Sequence, residues 1–209
     1  MFTVSTANEL ERPSMDEPLA PLMVVIGMSV VMWVEEIADL FPGTPFDSWG
    51  IRPRTVRGLW GIVLAPFLHA GFPHLIGNTV PFLILGSVIA VGGVARIVQV
   101  VVLVGLTSGM GVWLFGQSNS VHIGASGIVF GFVTYLVSRG LFARKILWML
   151  GGIIVLIVYG GIVWGLFPRP GISWQGHLFG AIGGVLAAWL MHADRADAVT
   201  EYRPYGDIR

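Results

Sequence analysis

Residues 121–131, VHIGASGIVFG, set a serine between glycines at the start of a long apolar run. A hydroxyl in that place has two readings. Membrane helices use small residues, serine among them, as packing faces; the other reading makes Ser126 a nucleophile. The nature of the run comes first. Of the 209 residues, 55% are hydrophobic and 11% charged, with a mean hydropathy of +0.78, whereas soluble domains carry about a quarter charged residues. Every Asp and Glu lies before Trp49 or after His192, leaving the block from about Ile62 to Met191 without one. The chain therefore reads as all-α and polytopic, with the lipid bilayer as its solvent.

Outward from Ser126, six segments approach the roughly 20 apolar residues that a crossing needs. They are Leu19–Leu40, Pro73–Ala95, Ile97–Gly116, Gly124–Ser138, Ile146–Phe167 and Trp174–His192, the fourth being short. Glu35 and Glu36 close the first segment, so its helix is expected to leave the hydrocarbon near Trp33. Residues 41–71 mix Trp, Phe, Arg, Pro and Gly, the composition of a segment lying among headgroups. This divides the chain into a polar cytoplasmic N-terminus (1–18), a six-helix transmembrane domain (19–192) and a polar cytoplasmic tail (193–209). The N-terminus has no basic region of the signal-peptide kind, so the first segment is expected to stay as an anchor. With both termini cytoplasmic, eight basic residues fall inside (Arg12, Arg96, Arg139, Arg144, Lys145, Arg195, Arg203, Arg209) and four outside (Arg52, Arg54, Arg57, Arg169), the sense of the positive-inside rule. No internal repeat supports an inverted-repeat transporter. Zero net charge gives no pointer to nucleic acid, and the absence of cysteine removes disulfides, thiolate metal sites and cysteine nucleophiles. One lysine against eleven arginines suggests a GC-rich genome, and the compact form a bacterial cell membrane.

Polar groups inside membrane helices are functional candidates by default. Here they are His74, Asn78, Ser126 and His177, with His69 and His122 just outside helix ends. Each has a plain structural reading: Ser126 as packing, Asn78 as interhelical glue, the histidines as polar cross-links. Their spacing says more. In HAGFPHLIGN, Pro73 suits a first helical turn, and His74 and Asn78 follow one turn apart on one face. Ser126 opens the fourth segment and His177 lies one turn into the sixth. The second, fourth and sixth segments all start on the outer side, so these residues share one shallow layer that water reaches. Gly127 with Gly131, and Gly180 with Gly184, make small-xxx-small faces directly after Ser126 and His177, letting two backbones approach closely.

This set resembles the rhomboid family of intramembrane serine proteases. His69, His74 and Asn78 match the family's His-x4-His-x3-Asn; Gly124, Ser126 and Gly127 match its Gly-x-Ser-Gly; His177, Gly180 and Gly184 match its His-x2-Gly-x3-Gly, all in family order. The resemblance implies Ser126 as nucleophile, His177 as base, and His74 and Asn78 assisting the Ser126 amide at the oxyanion. It implies Phe130 packing beside the histidine, and a short serine helix starting below the surface. No cofactor or metal is implied, and the partners would be transmembrane protein substrates; substrate identity and oligomeric state are not legible. Three departures stand out: Gly61 after Trp60 where the family often has Trp-Arg, Ala90 where a glutamate is frequent, and Pro81, expected to kink the second helix.

Other chemistries fare less well. A Ser-His-Asp triad needs a carboxylate to hold the histidine tautomer, and the helical block has none. A zinc protease of the HExxH kind is absent. Two alternatives stay open: an inactive rhomboid-like protein that binds membrane helices, and a histidine metal or haem protein.

Overall fold

The computed structural model describes residues 19–41, 43 and 46–201, with side chains as far as His192. Seven α-helices are described: α1 Ala20–Ala38, α2 Val56–Leu64, α3 Phe72–Ala90, α4 Val94–Phe115, α5 Ser126–Ala143, α6 Ile146–Tyr159 and α7 Trp174–Glu201. Short 3-10 turns span Phe46–Trp49, Ala65–Phe67 and Gly160–Leu166. Among the described residues there is no strand, only an isolated antiparallel bridge between Ile51 and His122. Five helices are long and apolar enough to cross a membrane: α1, α3, α4, α5, and α6 with its 3-10 continuation to Leu166. α7 lies outside that set. Gln175 and His177 in its first turn lower its hydropathy, and it packs between α4 and α5. The chain is a multi-pass membrane protein.

The arrangement follows from small residues. α5, the most buried of the five, packs on α7, α6 and α3, while α1 packs on α3. A Cβ on Gly180 would strike the Gly127 backbone, and one on Gly184 the Gly131 carbonyl, so the two glycine pairs are the contact between α5 and α7. Hydroxyls stitch α7 to its neighbours: Ser108 Oγ of α4 donates to the Gly176 carbonyl (2.8 Å) and Thr134 Oγ1 of α5 to the Ala181 carbonyl (2.8 Å). Away from them, Phe82 of α3 stacks on Phe132 of α5 at 5.4 Å.

Residues 46–71 fold over one end of the bundle. Thr55 caps α2 by accepting the Gly58 N–H. The Arg54 guanidinium donates to the carbonyls of Leu114 and Gly116 (2.9 Å each), taking the last carbonyls of α4 that have no helical donor.

Two expectations need correcting. The fourth segment ends later than Ser138: α5 continues to Ala143, where the Arg139 guanidinium lies 3.8 Å over the Trp148 ring of α6, although at 18 residues it is the shortest of the five. Pro81 does not interrupt α3, which is helical to Ala90. Its ring deprives the carbonyl of the residue four earlier of a donor, and that residue, Gly77, borders a cavity where water can serve. α1 spans Ala20–Ala38, within the expected Leu19–Leu40, with Glu36 buried against its neighbours. α7 remains helical through Glu201. The expectation for 1–18 lies outside the described residues.

Candidate active site

α3, α5 and α7 begin at the same end of the bundle, around a cavity of about 1100 Å³ bordered by His74, Asn78, His122, Ser126, Ser173 and His177. The position of each group can be traced to its own segment. Pro73 sits in the first turn of α3 and Gly71 caps it with φ +99°, a backbone state only glycine adopts without strain. Ala125 precedes α5, making Ser126 its first residue, and the Gly124 N–H is tied to the Ala65 carbonyl at 2.8 Å. The His177 N–H is bonded to the Ser173 carbonyl at 3.1 Å in the first turn of α7.

Ser126 Oγ lies 2.8 Å from His177 Nε2. The other ring nitrogen, Nδ1, lies 2.8 Å from the Gly165 carbonyl. A carbonyl can only accept, so Nδ1 carries the proton and Nε2 is left as the acceptor for the Ser126 hydroxyl. The Gly165 carbonyl thus does what a third carboxylate does elsewhere. It gets that close because residue 165 has no Cβ; one would fall 2.9 Å from His177 Nδ1 and 2.7 Å from Phe130 Cζ. Phe130 stacks on one face of the imidazole at 4.1 Å, nearly parallel. His177 is buried, fixed at its edge by the Gly165 carbonyl and on one face by Phe130.

His74 and Asn78 point at the same place. A Cβ on Gly124 would lie 2.8 Å from His74 Nε2 and 3.4 Å from Asn78 Nδ2, so both groups converge on the space that Gly124 leaves open. The Ala70 N–H donates to His74 Nδ1 (3.4 Å), which puts the proton on Nε2, facing that space. Asn78 Nδ2 is buried and has no hydrogen-bond partner, a state that costs about 1–3 kcal/mol unless something fills it. His69 stands behind, edge-on to His74 with ring centroids 5.1 Å apart and its Nδ1 3.2 Å from the Phe67 carbonyl. Burial, and then the neighbouring His74, push its pKa down to about 4.

The structure thus brings Ser126, His177, Phe130, His74, Asn78 and Gly124 to one cavity, with His69 one layer out and Gly127, Gly180 and Gly184 in the helix contact beneath. Gly165 was missed: one glycine among several in an apolar run carries no sequence signal. Ser173 was missed for the same reason, and His122 was seen without a partner. Among the described residues, no three or more His, Cys, Asp or Glu side chains are grouped to hold a metal ion.

Comparison with known proteins gives a family match and named relatives. The family model described as Rhomboid domain matches residues 56–194. Uncharacterized protein Rv1337 of Mycobacterium tuberculosis is 40% identical over 200 residues, covering 89% of this chain and 83% of its own. Putative rhomboid protease YdcA of Bacillus subtilis is 27% identical over 163 residues, covering 78% and 77%. Rhomboid protease GluP of the same organism is 31% identical over 145 residues, covering 68% of this chain and 28% of its own.

Proposed function

The chain belongs to the rhomboid family, and from that premise we propose that it is an intramembrane serine endopeptidase with Ser126 as nucleophile and His177 as general base. The observation that carries this is the directed pair of bonds at His177: Nδ1–H to the Gly165 carbonyl, Nε2 toward the Ser126 hydroxyl. An imidazole held in that tautomer removes the serine proton as Oγ attacks a peptide carbonyl. The tetrahedral oxygen then bears a negative charge in a site shielded from bulk water, where preorganised donors count most. His74 Nε2–H, Asn78 Nδ2–H and the Ser126 N–H are the proposed donors, the last having no helical partner at the first turn of α5. Collapse passes the proton from His177 to the departing amine and leaves an acyl-serine; water, deprotonated by the same imidazole, releases the acid.

The substrates proposed are transmembrane segments of other membrane proteins, cut near their outer ends. The cavity opens at the end of the bundle where α3, α5 and α7 begin, so the reacting bond must come to that depth. A helical peptide has its carbonyls bonded, so the segment must unwind locally, which favours substrates with small or helix-breaking residues near the cut. The test is labelling of the purified protein with a fluorophosphonate, together with turnover of a membrane-embedded substrate. Label is expected on Ser126, with Ser126→Ala and His177→Ala each folded but inactive. Turnover by Ser126→Ala at the parent rate would refute the assignment. A helix-binding protein without activity would take no label.

A further inference from the structure

Ser126 and His177 are not the only serine and histidine joined between the segments that start α5 and α7. Toward the mouth of the same cavity, His122 Nδ1 lies 2.7 Å from Ser173 Oγ. The order is reversed: His122 is four residues ahead of Ser126, and Ser173 four ahead of His177. The bond has a fixed direction. Ser120 Oγ gives its proton to the Gln117 carbonyl (2.5 Å), so at its 2.8 Å contact with His122 Nε2 it must accept. Nε2 therefore carries the hydrogen, and in the neutral ring Nδ1 is bare and accepts from the Ser173 hydroxyl. The His122 backbone is held from the other side, its N–H on the Ile51 carbonyl (3.0 Å) and its carbonyl on the Ile51 N–H (2.9 Å). At the far end, the Ser173 carbonyl receives the His177 N–H. One side chain thus links the first loop, the approach to Ser126 and the first turn beneath His177.

We propose that His122 and Ser173 form a second, non-reacting serine–histidine pair that keeps the starts of α5 and α7 in register for the Ser126–His177 bond, and that protonation of His122, which takes away the acceptor of the Ser173 hydroxyl, weakens it. The inference rests on the protease reading above. A protonated ring donates from both nitrogens, so the bond reverses: Ser173 Oγ becomes the acceptor, and its own proton must find another partner. On the segments around the ring the charged groups are Arg52 and Arg54 of the first loop and Arg169 of the loop before α7, all cationic. Arg54 is occupied by the end of α4 and Ser118. Asp47, the carboxylate of the first loop, sits instead toward Glu35 and Asp39 of the α1 end. Nothing anionic therefore favours the proton, and burial disfavours it further, so this reversal belongs below the ordinary imidazole range.

The test is the rate of fluorophosphonate labelling at Ser126 in the purified full-length protein, from about pH 8 to about pH 5, with thermal melting alongside. His122→Ala and Ser173→Ala should each slow labelling about 10- to 100-fold, the cost of a small misplacement of reacting groups. The double variant should be no slower than either single one, as expected of one shared bond. Ser173→Thr keeps the hydroxyl and should label like the parent. His122→Asn keeps an acceptor near the Nδ1 position but cannot take a proton; it should stay active and lose part of the fall in rate at low pH. Parent-like rates in the alanine variants, multiplying losses in the double variant, a slow Ser173→Thr, or an unchanged acid limb in His122→Asn would each overturn the pair while leaving Ser126 as the nucleophile. A parent protein that takes no label at Ser126 would instead overturn the protease reading, and the pair with it.

Discussion

Asn78 carries the sharpest choice at the scale of single residues. Its side-chain nitrogen is buried without a partner and aimed at the space beside Gly124. An amide kept only to join helices would be expected to bond one, as Ser108 and Thr134 do. An unfilled donor instead suits a group whose acceptor appears only during reaction, an oxygen that becomes negative when Ser126 attacks. One such donor is worth about 3–4 kcal/mol in the transition state. With three donors sharing the oxygen, Asn78→Ala should lower kcat about 10- to 1000-fold and leave KM nearly unchanged, because the bond strengthens after binding. If Asn78 is packing alone, melting temperature falls while single-turnover rate per folded molecule holds. Both measurements on one preparation separate the cases. The residue pattern in the sequence pointed to His74, Asn78, Ser126 and His177 because those polar groups stand out against apolar helices. It could not point to Gly165, whose contribution is a backbone carbonyl delivered by a 3-10 turn, with room for it only because residue 165 lacks a Cβ.

At the scale of the helix, the contact between α5 and α7 fixes how far Ser126 lies from His177. A Cβ on Gly180 would come 2.8 Å from the Gly127 carbonyl carbon and 3.1 Å from its Cα. Backbone cannot yield as a side chain does, so Gly180→Ala must push the helices apart. The expected result is a loss of about 1–3 kcal/mol in stability, read as a lower melting temperature, together with slower labelling of Ser126. Gly151→Ala on α6 is the matched control: a Cβ there meets nothing within 4 Å, so stability should hold or rise slightly through better helix propensity. An equal loss in both variants would show that helix composition, and not close approach, sets the tolerance. This part of the fold was legible, since paired glycines at four-residue spacing have few other uses in a membrane helix. Helix ends were not. Ser138 followed by Arg139 looked like an exit from the membrane, yet the guanidinium lies over a tryptophan of another helix, Trp148. Pro81 looked like a break, and only the cavity beside Gly77 relieves the freed carbonyl. Tertiary partners decide both, and no local pattern announces them.

At the scale of the whole molecule, one buried group ties stability to pH and one arrangement of charge sets direction in the membrane. His69 is 1% exposed and its pKa is pushed down to about 4, against roughly 6.5 in an unfolded chain. Between those values the unfolded chain binds more protons, so stability rises with pH across the window and is lost as pH falls from about 6.5 to about 4, by up to roughly 3 kcal/mol. His69→Leu should melt with a flatter dependence over that range; an equally steep one would place the titration elsewhere. Direction is a separate question. The site end of the described bundle carries Arg52, Arg54, Arg57 and Arg169, and the opposite end Arg96, Arg139, Arg144 and Lys145, an even division. Three of these eight are already committed within the structure or beside it: Arg54 to the end of α4, Arg52 to the Ser48 carbonyl, Arg139 to Trp148. What tips the count is Arg12, Arg195, Arg203 and Arg209 in the terminal segments, all on the side away from the site if the crossings number six. The positive-inside rule weighs such residues near the ends of spans, so the site is expected to face outward and both termini the cytoplasm. The chain has no cysteine, so single cysteines placed at Gly171 and Arg144 can be read with an impermeant maleimide in sealed cells without background. Gly171→Cys should label from outside, and Arg144→Cys only after the membrane is opened. The reverse pattern would turn the molecule over and put the cut on the cytoplasmic side of its substrates; labelling of both from outside would mean that the stretch between them does not make the odd number of crossings on which the outward site depends.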